Sequence, residues 1–359
     1  MQFYVEPVDT KDLKQLYTDV NELGFGKIFT DYMLTIKYSV DQKWHDAKIE
    51  RYKHFSMDPA ACVFHYSQEV FEGMKAYRTE DDQVMLFRPE QNARRMNRSA
   101  NRLCMPEVPE EIFMQGLKEL LTIEKRWIPQ QPGTALYIRP TMVATEPYLG
   151  VHPAGEYLFY IVLSPVGPYF KTGFNTISIY VEDKLVRAAV GGVGDIKTGG
   201  NYAAQLQGQL NAQRKGFSQA LWLDAKEHKY IEEVGAMNMF FVFNNMLVTP
   251  SLTGSILPGI TRASIIELAK DMGYGVEERL ISIDEVREAI ANGKITEVFG
   301  TGTAAVISPV GSMYYQGQDY IINNNQVGEV TRALYERLID IQYGREEDKF
   351  GWVVRLEDI

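Results

Sequence analysis

The sequence predicts a two-domain chain of the α/β (α+β) class, and three observations carry that prediction. At 359 residues the chain exceeds the usual size of a single hydrophobic core. Both halves mix short apolar, strand-like runs with stretches of helical periodicity. Between them, "SPVGPYFKTG" (164–173) sets two prolines and two glycines between apolar strands, which reads as a connection. The expected boundaries are therefore 1–165 for the first domain, 166–173 for an interdomain loop and 174–359 for the second.

In the first half, "KIFTDYMLTIKY", "VMLFRP", "ALYIRPTMVAT" and "YLFYIVL" read as strands, with helices over about 90–103 and 109–127. Ala93, Met96, Ala100 and Leu103 recur at helical spacing and form one apolar face, while Arg94, Arg95, Arg98 and Arg102 occupy much of the remainder. The second half resumes with "TISIYVED", a glycine-rich stretch, a helix near 200–215 and strands "ALWLD" and "MFFVFNNMLVTP". A helix follows "LPGITR", with Ile265, Leu268 and Ala269 on its buried face. Another, over 283–291, leads into "ITEVFGTGTAAVISPV", and a last one near 327–342 carries Val330, Leu334, Leu338 and Ile341.

The composition narrows the function. A net charge of −10 and a pI of about 5.2 argue against nucleic acid or an anionic membrane as partner, though not against a small anion in one basic pocket. Cys62 and Cys104 are the only cysteines, with no CxxC spacing, which fits a reducing compartment; no metal site is expected. The start, "MQFYVEPVDT", has neither a basic nor an apolar leader region, and no apolar run approaches the roughly 20 residues of a membrane span. A cytoplasmic, soluble enzyme or binding protein is expected.

The chemistry centres on "GVGDIKTGGNYAAQL" (192–206), where Lys197 stands among glycines. Three readings are open. A Walker-type phosphate loop needs a glycine before the lysine, and Ile196 is there instead. A surface lysine among turn glycines is the plain reading. In the third, a lysine amine made nucleophilic by burial or a neighbouring cation condenses with a carbonyl, and flanking glycines let a flat cofactor lie against the backbone.

A covalently held aldehyde cofactor with a phosphate requires a phosphate cup and a carboxylate for its ring nitrogen. "LPGITR" places Gly259, Ile260 and Thr261 at a helix start, where free N–H groups and the macrodipole favour an anion, although on its own the stretch reads more readily as a plain Pro-Gly turn capped by Thr261. "GTGTAA" (300–305) adds the hydroxyls of Thr301 and Thr303. As a dinucleotide fingerprint it is weak, because "VISPVG" continues as strand and turn, not helix. "YIEEVGAMNMF" sets Glu232 and Glu233 before an apolar strand. Neighbours on a strand face opposite sides, so one carboxylate can point inward while the other is solvated, although taken alone the pair reads more readily as solvated at a strand edge.

Seven stretches in order, "FHYSQEVFEGMKAYR", "NARRMNRSA", "LYIRP", "GGVGDIKTGGNYAAQL", "YIEEVGAMN", "SILPGITR" and "FGTGTAA", resemble the branched-chain amino acid aminotransferases, pyridoxal-phosphate enzymes of fold type IV. The resemblance runs from about residue 25 to 345. It implies a smaller N-terminal α/β domain and a larger C-terminal pseudo-barrel α/β domain. It further implies that Lys197 forms the Schiff base with pyridoxal 5′-phosphate and shuttles the proton between Cα and the cofactor's C4′. Glu233 is expected to pair with the pyridine nitrogen and Tyr202 to hydrogen-bond the phenolic oxygen. Arg95, the backbone at Ile260 and Thr261, and the Thr303 hydroxyl are expected to hold the phosphate, which leaves Arg94, Arg98 and Arg102 as solvated or structural charges.

For the substrate, the resemblance implies that Tyr66, Phe71 and Tyr137 line a pocket for a branched aliphatic side chain. The turn at Thr303, Ala304 and Ala305 would hold the α-carboxylate, and Arg139 the distal carboxylate of glutamate. Tyr169 would cover the site, and Leu149 and Val151 would reach the neighbouring subunit's pocket in a homodimer. Ala305 and Ser308 stand where some relatives carry a redox-active CxxC, so that switch is not expected, and Ala236 replaces a threonine of some relatives. The implied activity is amino transfer between leucine, isoleucine or valine and 2-oxoglutarate. Competing readings are an aminodeoxychorismate lyase or a D-amino acid aminotransferase on the same fold, or a nucleotide-binding module.

Overall fold

The computed structural model describes residues 1–167 and 173–359. The chain divides into two compact units, Met1–Lys171 with Lys197–Gly199 and Ile341–Ile359, and Thr172–Ile196 with Gly200–Asp340.

The first unit opens with β1 (Tyr4–Val5), β2 (Tyr32–Ser39), β3 (Lys43–Arg51), α1 (Cys62–Tyr66), β4 (Glu69–Phe71), β5 (Met74–Arg78) and β6 (Val84–Phe87). It continues with α2 (Pro89–Arg102), α3 (Glu110–Glu124), β7 (Ala135–Ala144) and β8 (Glu156–Val166). These strands form a sheet in the order β1-β3-β2-β8-β7-β5-β6, and β4 also pairs with β7.

The period-2 alternation of β7 gives this sheet two unlike faces. Leu136, Ile138 and Met142 enter one hydrophobic core with Ala93, Met96 and Ala100 of α2 and Phe113, Leu117, Leu120 and Leu121 of α3. Burying each such large side chain contributes on the order of 1.5–3 kcal/mol. Tyr137, Arg139 and Thr141 fall on the opposite face. The ladder sets Lys75 of β5 across from Tyr137, and Phe71 of β4 and Tyr160 of β8 across from Thr141, so these residues share that face.

The second unit begins with β9 (Ile177–Glu182), α4 (Gly199–Ala203), α5 (Leu206–Arg214), β10 (Gln219–Leu223), β11 (Ile231–Val234), β12 (Met237–Phe243) and β13 (Met246–Pro250). Next come α6 (Ile260–Asp271), β14 (Gly275–Arg279), α7 (Ile283–Ala291), β15 (Ile295–Gly302), β16 (Val306–Tyr315), β17 (Gln318–Ile321) and α8 (Glu329–Gln342). Among the described residues the strand order is β11-β10-β9-β16-β15-β12-β13-β14, and β11 also pairs with β12. That pairing closes β11, β10, β9, β16, β15 and β12 into a ring, the pseudo-barrel that the sequence implies. Ile179, Val181, Leu221, Val234, Met239, Phe241, Val298 and Val310 belong to its core.

Several elements differ from expectation. The helix near 200–215 is two helices, because the Gln205 N–H bonds back three residues to Tyr202 and not four. "MFFVFNNMLVTP" is not one strand but the hairpin β12–β13, turning at Asn244 with φ of +53°. "ITEVFGTGTAAVISPV" is the hairpin β15–β16, in keeping with the strands read on either side of "GTGTAA". A last strand, β18 (Val353–Arg355), pairs antiparallel with β6 in the first sheet, although the sequence reading ends the chain in the second domain. Lys197–Gly199 also falls in the first unit.

Candidate active site

Of the four arginines on α2, Arg94, Arg98 and Arg102 are exposed and Arg95 is buried. Its Nε donates to Glu72 Oε1 at 2.7 Å and its Nη2 to Glu72 Oε2 at 2.9 Å, a two-pronged pairing of guanidinium with carboxylate. Glu72 also accepts from Asn92 Nδ2 at 2.8 Å and from Gly73 N at 3.1 Å. Burial pushes the Glu72 carboxyl up, but the charges of Arg95 and Lys197 and these hydrogen bonds outweigh it and hold the carboxyl below its ordinary value.

Lys197 is fastened to the same unit at three points. Its N–H donates to Ser99 Oγ at 3.1 Å, and its carbonyl accepts from Phe71 N at 3.1 Å. Two residues on, Gly199 N donates to Glu69 Oε1. The amine lies 4.9 Å from the centre of the Phe71 ring. The Arg139 guanidinium stands over the same ring at 4.7 Å and over Tyr137 at 5.2 Å, and its Nη2 donates to Tyr137 Oη at 2.9 Å. The Arg139 Nε is buried without a hydrogen-bond partner among the described residues. Gly73 backs this group: a Cβ there would lie 2.1 Å from Tyr137 Oη.

Sequence reasoning misses Phe25, whose ring packs edge-on against Tyr137 at 4.7 Å. Its signal is the "GFG" triplet, in which Gly24 and Gly26 take φ of +61° and +67° and turn the aromatic residue out of the chain. Tyr66 is placed differently: it is exposed and donates to the Leu149 carbonyl, and Leu149 and Val151 are themselves exposed. Tyr169 lies outside the described residues. A cavity of about 740 Å³, lined by Lys37, His45, Asp46, Lys53 and Glu156 among others, contains none of the predicted site residues.

In the second unit, Ile196 is 2% exposed, so it fills core space ahead of the lysine. Asn201 of "GGNY" clamps the preceding turn, its Nδ2 donating to the carbonyls of Val193 at 2.6 Å and Ile196 at 2.8 Å. Tyr202 follows on the short α4.

Both glutamates of β11 are buried, which corrects the expectation of one solvated carboxylate. The loop at 253–258 reaches both carboxylates, through Ser255 to Glu232 and through Leu257 to Glu233. Glu233 Oε1 accepts from Leu257 N at 2.8 Å, and its Oε2 stands 3.4 Å from Arg187 Nε. Ser255 Oγ donates to Glu232. Burial pushes the Glu232 carboxyl up to about 7.

Helix α6 starts at Ile260 after Gly259, and among the described residues no side chain caps it. Thr303, Ala304 and Ala305 form the β15–β16 turn, which ends at Val306 with φ of +63°. Thr301 Oγ1 and Ser308 Oγ are buried without partners among the described residues.

A family model described as class IV amino-transferase matches residues 69–313. The chain belongs to the class IV aminotransferases. This aminotransferase is 52% identical over 349 residues to branched-chain-amino-acid aminotransferase 2 of Bacillus subtilis (strain 168), and the match covers 97% of this chain and 96% of that protein. It is 26% identical to the crystal structure of the Escherichia coli branched-chain amino acid aminotransferase, with a TM-score of 0.75 over 91% of this chain and 99% of that one. The Thermobaculum terrenum branched-chain aminotransferase in its PLP form is 22% identical, with a TM-score of 0.75 over 91% of this chain and 98% of that one, a likeness of fold. The aminotransferase has no helix among the described residues long and apolar enough to cross a membrane, and no metal-binding cluster among them.

Proposed function

We propose that the chain is a pyridoxal-phosphate-dependent branched-chain amino acid aminotransferase, moving the amino group between leucine, isoleucine or valine and 2-oxoglutarate. The observation that carries this reading is the non-core face of the first sheet. There an amine, two aromatic rings and a guanidinium with a buried, partnerless Nε converge. Apolar walls suit a branched side chain, and the guanidinium suits a second carboxylate.

The residues of each unit fit the cofactor on observations of their own. In the first, these are the Lys197 amine over Phe71 and the buried Arg95. In the second, they are buried Glu233, the uncapped start of α6, and Gly259, where a Cβ would lie 2.1 Å from Asn238 Oδ1. The bound cofactor supplies an aldehyde that accepts the amino group and a protonated ring that takes up the electrons of the broken Cα–H bond.

The chain's own residues do the rest. Lys197 Nζ would hold the cofactor covalently and, once displaced by the substrate's own amine, would be the free base that takes the proton from the substrate's Cα. Glu233 keeps the ring nitrogen protonated, and Tyr202 donates to the phenolic oxygen. Arg95, the N–H groups of Ile260 and Thr261, and the Thr303 hydroxyl hold the phosphate. Phe71 and Tyr137 line the aliphatic pocket. The amides at Thr303, Ala304 and Ala305 take the α-carboxylate and Arg139 the distal one. Two half-reactions alternate on one site. The working form is a cytoplasmic homodimer in which Leu149 and Val151 approach the neighbouring subunit's pocket.

The test is chemical. The purified protein is expected to be yellow with pyridoxal phosphate, and borohydride reduction is expected to fix the label on Lys197. Valine, D-alanine and aminodeoxychorismate assayed side by side are expected to give keto acid from valine alone. No keto acid from valine overturns the branched-chain reading. A colourless protein that binds ATP overturns the cofactor.

A further inference from the structure

Arg187 lies in the second unit between β9 and the glycine-rich turn, and it is 5% exposed. Its Nη2 donates to two carbonyls, Gly194 in that turn at 3.1 Å and Ser255 in the loop before α6. Its Nε stands 3.4 Å from Glu233 Oε2, an ion-pair distance without hydrogen-bond alignment, so Nε is left with no hydrogen-bond partner among the described residues. Ser255 in turn donates its hydroxyl to Glu232, whose Oε2 is buried without a partner among the described residues.

One guanidinium therefore serves two buried carboxylates and fastens two loops. The packing around it leaves little room. A Cβ at Gly194 would meet the Ser255 carbonyl and the Ala188 Cβ, each at 2.4 Å. The turn and the loop thus touch through backbone, with Arg187 bridging them. The loop it holds supplies Leu257 N to the other oxygen of Glu233 and then runs into the start of α6.

We propose that Arg187 is a positioning residue for the reaction: it holds Glu233 ionised and aimed, and it locks the loop at 253–258 that precedes the uncapped start of α6. This deepens the functional reading above and rests on it. A buried carboxylate keeps its charge only beside a compensating one, and the Arg187 guanidinium stands at ion-pair distance from Glu233 Oε2. Glu232 draws on the same guanidinium through space, and Ser255 carries a hydrogen bond to each of the two, its hydroxyl to Glu232 and its carbonyl to Arg187.

The experiment is a double-mutant cycle on the full chain with Arg187→Gln, Glu233→Gln and the pair. The readouts are pyridoxal-phosphate affinity by equilibrium dialysis and the pH profile of the bound cofactor's visible absorbance. Arg187→Gln is expected to weaken affinity about tenfold or more and to shift the pH midpoint of that band. The pair is expected to lose clearly less than the two single effects summed, because the arginine acts in part through the glutamate and in part through the loop. Arg187→Lys, which keeps the charge without the fork, is expected to recover part of the affinity. Should Arg187→Gln not fold, Arg187→Lys takes its place in the cycle. Additive effects in the cycle, or wild-type affinity and an unshifted band in the single variant, overturn the proposal. A wild-type chain that takes up no pyridoxal phosphate overturns the functional reading instead.

Discussion

Replacing Glu72 by Gln tests the buried charge pair at the centre of the first unit. The carboxylate accepts four hydrogen bonds, from Arg95 Nε and Nη2, Asn92 Nδ2 and Gly73 N, at 2.7, 2.9, 2.8 and 3.1 Å. Glutamine keeps the volume but turns one acceptor into a donor facing donors, and it removes the carboxylate charge that faces the Arg95 guanidinium. Breaking a buried pair on one side costs about 3–5 kcal/mol. Urea unfolding of the cofactor-free protein, followed by tryptophan emission, is expected to show a loss of that size.

The pH dependence adds a second signature. The folded Glu72 carboxyl is held below its ordinary value of 4.5, so its contribution is present above that pH and is lost as pH falls through the folded value. The variant's stability is therefore expected to fall less steeply in acid than the wild type's. A loss below about 1 kcal/mol with an unchanged acid limb would refute the reasoning, because it would mean that the pair is solvated in the protein.

Other expectations follow from single contacts. Gly73→Ala sets a Cβ 2.1 Å from Tyr137 Oη and displaces the hydroxyl to which Arg139 donates; KM for 2-oxoglutarate is expected to rise about tenfold, and more than KM for valine, in steady-state assays. Glu297 of β15 accepts from Val330 N at 3.0 Å, Thr331 N at 2.8 Å and Thr331 Oγ1 at 2.6 Å, and so caps α8; Glu297→Ala is expected to cost about 2 kcal/mol in urea unfolding. Burial pushes Glu124 up to about 7, so its neutral form favours folding below about 4.5 and that contribution is lost as pH rises through about 7. Glu124→Gln is accordingly expected to raise the melting temperature relative to wild type at pH 8 and to leave a smaller difference at pH 5.

The helices are legible in the sequence because their apolar residues recur at a period that only burial on one side explains. Ala93, Met96 and Ala100 mark α2, and Leu334, Leu338 and Ile341 mark α8, all at 1% exposure or less. Strand β3, "KWHDAKIER", is not legible: only Ala47, Ile49 and Glu50 are buried, and its charges give no clean alternation. The break between α4 and α5 is hidden because "AAQLQGQL" has good helix formers on both sides of it.

At the site, Lys197 and the start of α6 stand out by residue type and spacing, whereas Glu233 is singled out from Glu232 only by the family resemblance. Arg187 and Glu72 do not stand out, because a charged residue carries no mark in sequence of whether its partner lies across a fold. The burial of both Glu232 and Glu233 is hidden for the same reason. Strand alternation assigns a face, and only the surrounding chain decides whether that face meets water.

Strand β7 writes two instructions in opposite phase. Leu136, Ile138 and Met142 hold the first unit together, while Tyr137, Arg139 and Thr141 face the other way. A slip of one residue would drive a guanidinium into the oily layer and expose the leucine, so pairing errors are rejected along the same strand whose Tyr137 and Arg139 are proposed to meet substrate. Under that proposal Tyr137 and Arg139 can change for a new side-chain preference without disturbing what the helices rest upon. Selectivity can drift along this strand while its alignment stays locked.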